Sequence, residues 1–165
     1  MNADARLPAR PAGPTARPRE SEPSAAAGGD AGRAAADDPA AGRPFYRLLG
    51  LRSEPGLPAG TSRLRLAGRP ELQNSHGDIH GGVVATLLDA AMGVAARSAY
   101  AEGQGATTVS MTVNYLEPGR DALVGEGRLV RGGRTLASLE ARVVDGAGRT
   151  VAHAVGTMRI IARRG

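Results

Sequence analysis

From Gly81 to Ala96 the chain runs through sixteen positions with a single charge, Asp89. The apolar positions Val83, Val84, Leu87, Leu88, Ala91, Met92, Ala95 and Ala99 recur at helical spacing. They predict one long helix over roughly 81–99. Its apolar coverage is wide, so the helix is expected to be surrounded rather than to lie on a surface. A polar loop beginning at Asn74 feeds it through His80-Gly81-Gly82. A lone carboxylate inside such a helix is costly to bury without compensation, and nothing local pairs with Asp89. That carboxylate is the first sign of chemistry in the chain.

Around this helix the periodicity changes. Pro44–Leu49 reads as a short helix stopped by Gly50, with Phe45, Leu48 and Leu49 expected to pack down. Residues 61–66 alternate Leu64 and Leu66 with Arg63 and Arg65, a strand with one wet face. Beyond Gly103 and Gly105 the period is two. Val109, Met111, Val113 and Tyr115 share one face of a strand, with Thr108, Ser110, Thr112 and Asn114 on the other. Glu117-Pro118-Gly119 reads as a turn, and Gly132-Gly133 and Asp145–Gly148 as hairpin connections. The strands between and after them cover about 122–130, 134–144 and 150–161. The small inward residues Ala152, Ala154 and Gly156 would let a helix approach closely. The expected fold is α+β: a long helix wrapped by a curled antiparallel meander of about five strands. The second face of that sheet then needs a partner or solvent, so self-association is expected.

Residues 1–42 differ from the rest. They hold six of the eleven prolines, and Leu7 is their only Leu, Ile, Val or aromatic residue. Such a segment cannot bury enough apolar surface to offset an ordering cost of about 1–2 kcal/mol per residue. It is expected to be a disordered tail, leaving residues 43–165 as the one folded domain. The formal charge is +5 and every basic residue is Arg. The tail has 5 Arg against 6 acids and the domain 16 against 10, so the positive charge belongs to the domain. A positive domain suits an anionic partner. Phe45, Tyr46, Tyr100 and Tyr115 are the only aromatics, which argues against nucleic-acid modules that stack bases on aromatic platforms. With no cysteine, thiolate catalysis and disulfides are excluded. No apolar run suits a membrane span, and no secretory leader is evident. A cytoplasmic protein with no membrane partner is expected.

Asn74, His80-Gly81-Gly82 and Asp89 nine positions after the histidine, with the strands behind them, resemble the hot-dog fold. More narrowly, they are similar to its phenylacetic-acid-degradation (PaaI-like) branch of acyl-CoA thioesterases. The similarity runs on through Thr107–Tyr115, Glu117-Pro118, residues 133–137, Asp145 and residues 152–157. It covers nearly everything from Arg43 onward. It implies a thioester hydrolase without cofactor, coenzyme A being part of the substrate. By this resemblance the Gly81 N–H polarises the thioester carbonyl, and Asn74 and His80 complete and orient that site. Asp89 activates water or attacks directly, and Thr108, or Thr107 in a shifted alignment, positions the water or the carboxylate. Gly82, Gly133 and the arginines Arg131 and Arg134 contact substrate, the arginines through CoA phosphates. The family arrangement takes the carboxylate from the opposite subunit of a homodimer, which can assemble further into a homotetramer.

Other readings compete. His80 can be a structural histidine at the helix entrance, and Asp89 a structural carboxylate. His76 reads as a loop residue and His153 as a surface or interface residue. A metal held by His76, His80, Asp78 and Asp89 is disfavoured, since Gly77 and the loop break the one-helix spacing that such ligands use. The competing functions are a non-hydrolytic hot-dog acyl-CoA binding protein and a catalytically idle homolog.

Overall fold

The computed structural model describes residues 43–162, and the expected tail over 1–42 lies outside them. The elements are α1 (Pro44–Leu49), β1 (Arg52–Ser53), β2 (Thr61–Leu66), a 3-10 turn (Pro70–Leu72), α2 (Gly81–Ser98), β3 (Gln104–Tyr115), β4 (Leu123–Gly132), β5 (Leu136–Asp145) and β6 (Thr150–Ala162). All strands join one six-stranded antiparallel sheet in the order β1-β2-β4-β5-β6-β3. The α+β hot-dog arrangement is present: a single long helix lies against one face of an open sheet. The sixth strand is the two-residue β1, too short to carry an alternation signal.

Several expectations change. β4, β5 and β6 form a meander, but β3 pairs with β6 and not with β4. Hairpin loops take two to five residues. The seven residues from Leu116 to Ala122 instead carry the chain across the end of the sheet. Within this crossing Asp121 is, among the described residues, the only non-glycine with positive φ, at 55°. The second change concerns α1, where Phe45 and Leu48 are 54% and 68% exposed while Tyr46 and Leu49 pack against the core. A six-residue helix reaches the domain with one side only, and 46 and 49 share that side. The third is a bulge in β3, taken up below.

α2 holds the core together. Leu87, Leu88, Ala91, Met92, Ala95 and Ala96 are fully buried against Leu64, Leu66, Leu123, Leu139, Val143 and Met158. Each large apolar side chain contributes about 1.5–3 kcal/mol relative to exposure. The helix sits low because the sheet beneath it lacks side chains where they would collide. A Cβ at Gly127 would stand 2.5 Å from the Ala91 carbonyl oxygen, and one at Gly125 2.8 Å from Leu87 Cγ. Gly156 leaves room for the Met92 thioether in the same way. Ser62 of β2 donates to that Ala91 carbonyl at 2.7 Å, which ties helix to sheet with a buried bond. The helix is not surrounded. Gly82, Thr86, Asp89, Gly93 and Arg97 form a stripe that the fold leaves partly or fully open.

The outer face of the sheet needs no apolar cover over its middle. Arg63, Glu126, Arg142, His153 and Asn114 stand side by side in register across five strands. Glu126 bridges its two arginines, at 2.5 Å from Arg63 and 2.7 Å from Arg142, and Arg128 meets Glu140 at 2.6 Å. His153 is a member of this polar row.

Candidate active site

The loop before α2 is built by Asn74. Its backbone N–H donates to the Asp78 carbonyl (2.8 Å) and its own carbonyl accepts from Gly77 (3.1 Å). Its side-chain Oδ1 accepts from the His76 and Asp78 N–H groups at 2.8 and 3.2 Å. Asn side chains commonly brace turns in this way, and Gly77 with φ 79° supplies the tight bend. With Oδ1 committed to the loop, the Asn74 amide NH2 is the part left to face a ligand. The Asp78 carboxylate is engaged by Arg120 at 2.7 Å, and His76 stands exposed.

His80 opens the helix in an extended conformation, φ −57° and ψ 136°. Its Nδ1 accepts from the Gly82 N–H at 2.9 Å, so a neutral ring carries its proton on Nε2. The His80 carbonyl accepts from Val83 and Val84 at 2.8 and 3.2 Å. Of the first N–H groups of α2, these three are spent on the fold. Among the described residues none accepts from the Gly81 N–H. A free N–H at a helix N-terminus, with the helix dipole behind it, favours negative charge. Gly81 also lines a cavity of about 320 Å³ with Asn74, Ile79, Tyr115, Glu117 and Val151.

Asp89 lies on the open stripe of α2 and is half-buried, not enclosed. Its partner comes from β3, not from its own helix: the Thr108 hydroxyl donates to Asp89 Oδ1 at 2.5 Å. Strict alternation had put Thr108 on the face away from Met111 and Val113. The β3–β6 register shifts between Thr108 and Ser110, and Val109 is the extra residue. Ala106, Thr108, Met111, Val113 and Tyr115 therefore all pair with the inward-facing row Ile160, Met158, Gly156, Ala154 and Ala152. Val109 itself is 59% exposed. Thr107 pairs with the exposed Arg159 and is not the hydroxyl at Asp89.

Two residues enter the site that sequence reasoning had not put there. Tyr115, at the end of β3, donates from its hydroxyl to the Gly81 carbonyl at 3.1 Å. Tyr46 of α1 carries the Arg43 guanidinium 4.8 Å from its ring centroid. Burial pushes the Tyr46 phenol up, Arg43 opposes this, and the Asp89 charge adds to it. The two-residue spacing of Tyr115 from Val113 was the available signal for the first. Nothing in the sequence marks the second.

The structure does not gather all the expected residues in one place. Gly81 and Asp89 are eight residues apart on one helix, about 12 Å along its axis. Gly133 and Arg134 line a separate cavity of about 800 Å³ with Ala99, Tyr100 and Gln104, at the far end of α2. Arg131 is exposed beside it. Gly82 has its N–H committed to His80. Among the described residues no helix is long and apolar enough to cross a membrane.

Known proteins resemble this chain. A family model, the thioesterase superfamily, matches residues 76–152. A Halobacterium salinarum protein with a provisional esterase name is 40% identical over 90 residues, 52% of this chain and 60% of that protein. The match thus spans less than two thirds of that relative. A thioesterase family protein from Silicibacter pomeroyi is 30% identical at a TM-score of 0.69, over 73% of this chain and 91% of that one. A Bacillus halodurans protein solved with CoA is 29% identical at a TM-score of 0.64, over 71% and 75% of the two chains.

Proposed function

The chain belongs to the thioesterase superfamily, and on that premise we propose that it hydrolyses acyl-CoA thioesters to the free acid and CoA, as a PaaI-like enzyme working in a homodimer. The observation that carries this reading is the Gly81 N–H, left without an acceptor at the start of the helix that also bears Asp89. Thioester hydrolysis needs a donor where charge develops on the carbonyl oxygen and a base or nucleophile on the other side of the carbon. Both must lie within about 3 Å of their targets. One carbonyl cannot meet both across about 12 Å of the same helix. The site is therefore completed by Asp89 of a second copy facing Gly81 of the first. β3 gives such a copy a long edge strand, with Val109, Tyr115 and Ile161 exposed near it.

In this reading the thioester oxygen accepts from the Gly81 N–H, with the Asn74 amide and His80 Nε2 at the rim. Asp89, one oxygen held by Thr108, takes a proton from water as the water oxygen bonds to the carbonyl carbon. The tetrahedral oxyanion collapses, the C–S bond breaks, and the proton passes to the departing CoA thiolate. Direct attack by Asp89 through a mixed anhydride is the second route. Label found in Asp89 after a single turnover in H2¹⁸O would identify the anhydride route, with water attacking the aspartyl carbon. CoA being part of the substrate, no further cofactor is required. The CoA phosphates are assigned to Arg131 and Arg134 of the exposed β4–β5 hairpin.

The test is free-thiol release from short, medium, long and aryl acyl-CoAs. Asp89→Asn keeps the shape and removes the base, and turnover should fall by about 10²–10⁴. Full activity in Asp89→Asn would overturn the assignment. Thioester binding without release by wild type would favour the non-hydrolytic reading.

A further inference from the structure

Glycine is the loosest joint a backbone has, so a catalytic N–H on Gly81 needs something to hold its direction. The peptide that carries this N–H is held by its carbonyl, since His80 O accepts from both Val83 and Val84. The next peptide is held at its nitrogen end by the bond from Gly82 to His80 Nδ1. Its carbonyl end is held by Tyr115, whose hydroxyl donates to Gly81 O at 3.1 Å. A carbonyl has two lone pairs, and the helix ladder uses one. The Tyr115 ring also packs beside the glycine: a Cβ on Gly81 would stand 3.5 Å from Cε1 and 3.6 Å from Cζ. Both planes flanking the Gly81 Cα are thus fixed.

We propose that Tyr115 is a positioning residue, whose hydroxyl clamps the Gly81 carbonyl and so aims the Gly81 N–H at the developing oxyanion. This rests on the reading of Gly81 as the carbonyl donor. The clamp depends on the same bulge that serves Asp89. Thr108 and Tyr115 are seven residues apart, an odd number, so a regular strand would send them to opposite faces. The extra residue Val109 restores parity and lets one strand brace both the carboxylate and the oxyanion donor.

Tyr115→Phe keeps the ring and removes only the hydroxyl. With the thioester that wild type turns over best, kcat should fall about fivefold, the size of one neutral hydrogen bond. KM should stay within about twofold, as for a loss felt only in the transition state. The melting temperature should fall by no more than a few degrees. Independently of turnover, the Gly81 amide cross-peak should move and its hydrogen exchange should quicken in Tyr115→Phe. Asp89→Asn runs alongside. If it matches wild type, the functional reading falls and this inference with it. If Asp89→Asn is inactive while Tyr115→Phe keeps full kcat, or shows only a raised KM, the inference alone is overturned. An unmoved Gly81 amide overturns it as well.

Discussion

Thr108 and Asp89 are nineteen residues apart and form one unit, a hydroxyl donating to a carboxylate oxygen on a half-open helix face. A hydrogen bond to a charged group is worth about 1.5–3 kcal/mol. If that bond holds Asp89 for its reaction, Thr108→Val should cost about ten- to a hundredfold in kcat, and Thr108→Ser should recover most of it. Steady-state kinetics on the three proteins decides it, and full activity in Thr108→Val with a loss in Thr108→Ser would show that bulk, not the hydroxyl, matters. Gly81 allows an equally local test. His80 already has the extended backbone that must precede a proline, and a proline suits the first turn of a helix. Gly81→Pro should leave α2 intact while deleting the one free N–H, with a loss of about 10²–10³ in kcat. Retained activity with native circular dichroism would remove Gly81 from the mechanism.

At the scale of elements, α2 and β3 do the organising. Their residue types were legible from period alone: helical spacing over 83–99 and alternation over 107–115. The parity of β3 was not legible, because a bulge at Val109 follows from pairing with β6 and leaves no mark in the alternation. That one residue moved Thr108 from the outer face to Asp89. The pairing of β3 with β6 was hidden for a related reason, since strand adjacency is a non-local fact and the Leu116–Ala122 crossing resembles any polar loop. The fit of α2 to the sheet is where an element-scale change should be costly. A Cβ at Gly127 meets backbone of α2, which cannot move as a flexible side chain would. Gly127→Ala should destabilise by about 1–3 kcal/mol and lower Tm by several degrees. An unchanged Tm would mean that the helix can lift without cost.

For the whole molecule, two protomers are needed if Gly81 and Asp89 serve one carbonyl. Mixing the inactive Asp89→Asn and Gly81→Pro proteins, with subunit exchange, then regenerates activity. Half of the dimers are mixed and each has one intact site, so recovery should approach about a quarter of wild type for a loss of about 10²–10³ in either parent. No recovery despite verified exchange would put both groups in one protomer or out of the mechanism. Global stability carries a separate signature in the outer polar row. The Arg63 guanidinium holds the Glu126 carboxyl below the usual range; burial opposes this and Arg142 adds to it. A carboxyl depressed in the folded state stabilises above its unfolded value, about 4.3, and loses that contribution as pH falls through its folded value. Wild type should therefore lose more Tm than Glu126→Gln as pH drops below about 5. Parallel curves would show that the row contributes nothing to folding.

The amino-acid sequence by itself determined the long helix, the five longer strands, the inward residues of β5 and β6 and the motif of Asn74, His80, Gly81 and Asp89, because periodicity and residue chemistry are local. It also carried the family, since those residues stand in order along the chain. Only the tertiary structure decided which donor at the helix entrance stays free, which hydroxyl reaches Asp89, and that Tyr115 closes on Gly81. Each of those is a meeting between residues far apart in sequence, and whether they meet depends on strand pairing and register rather than on their own chemistry.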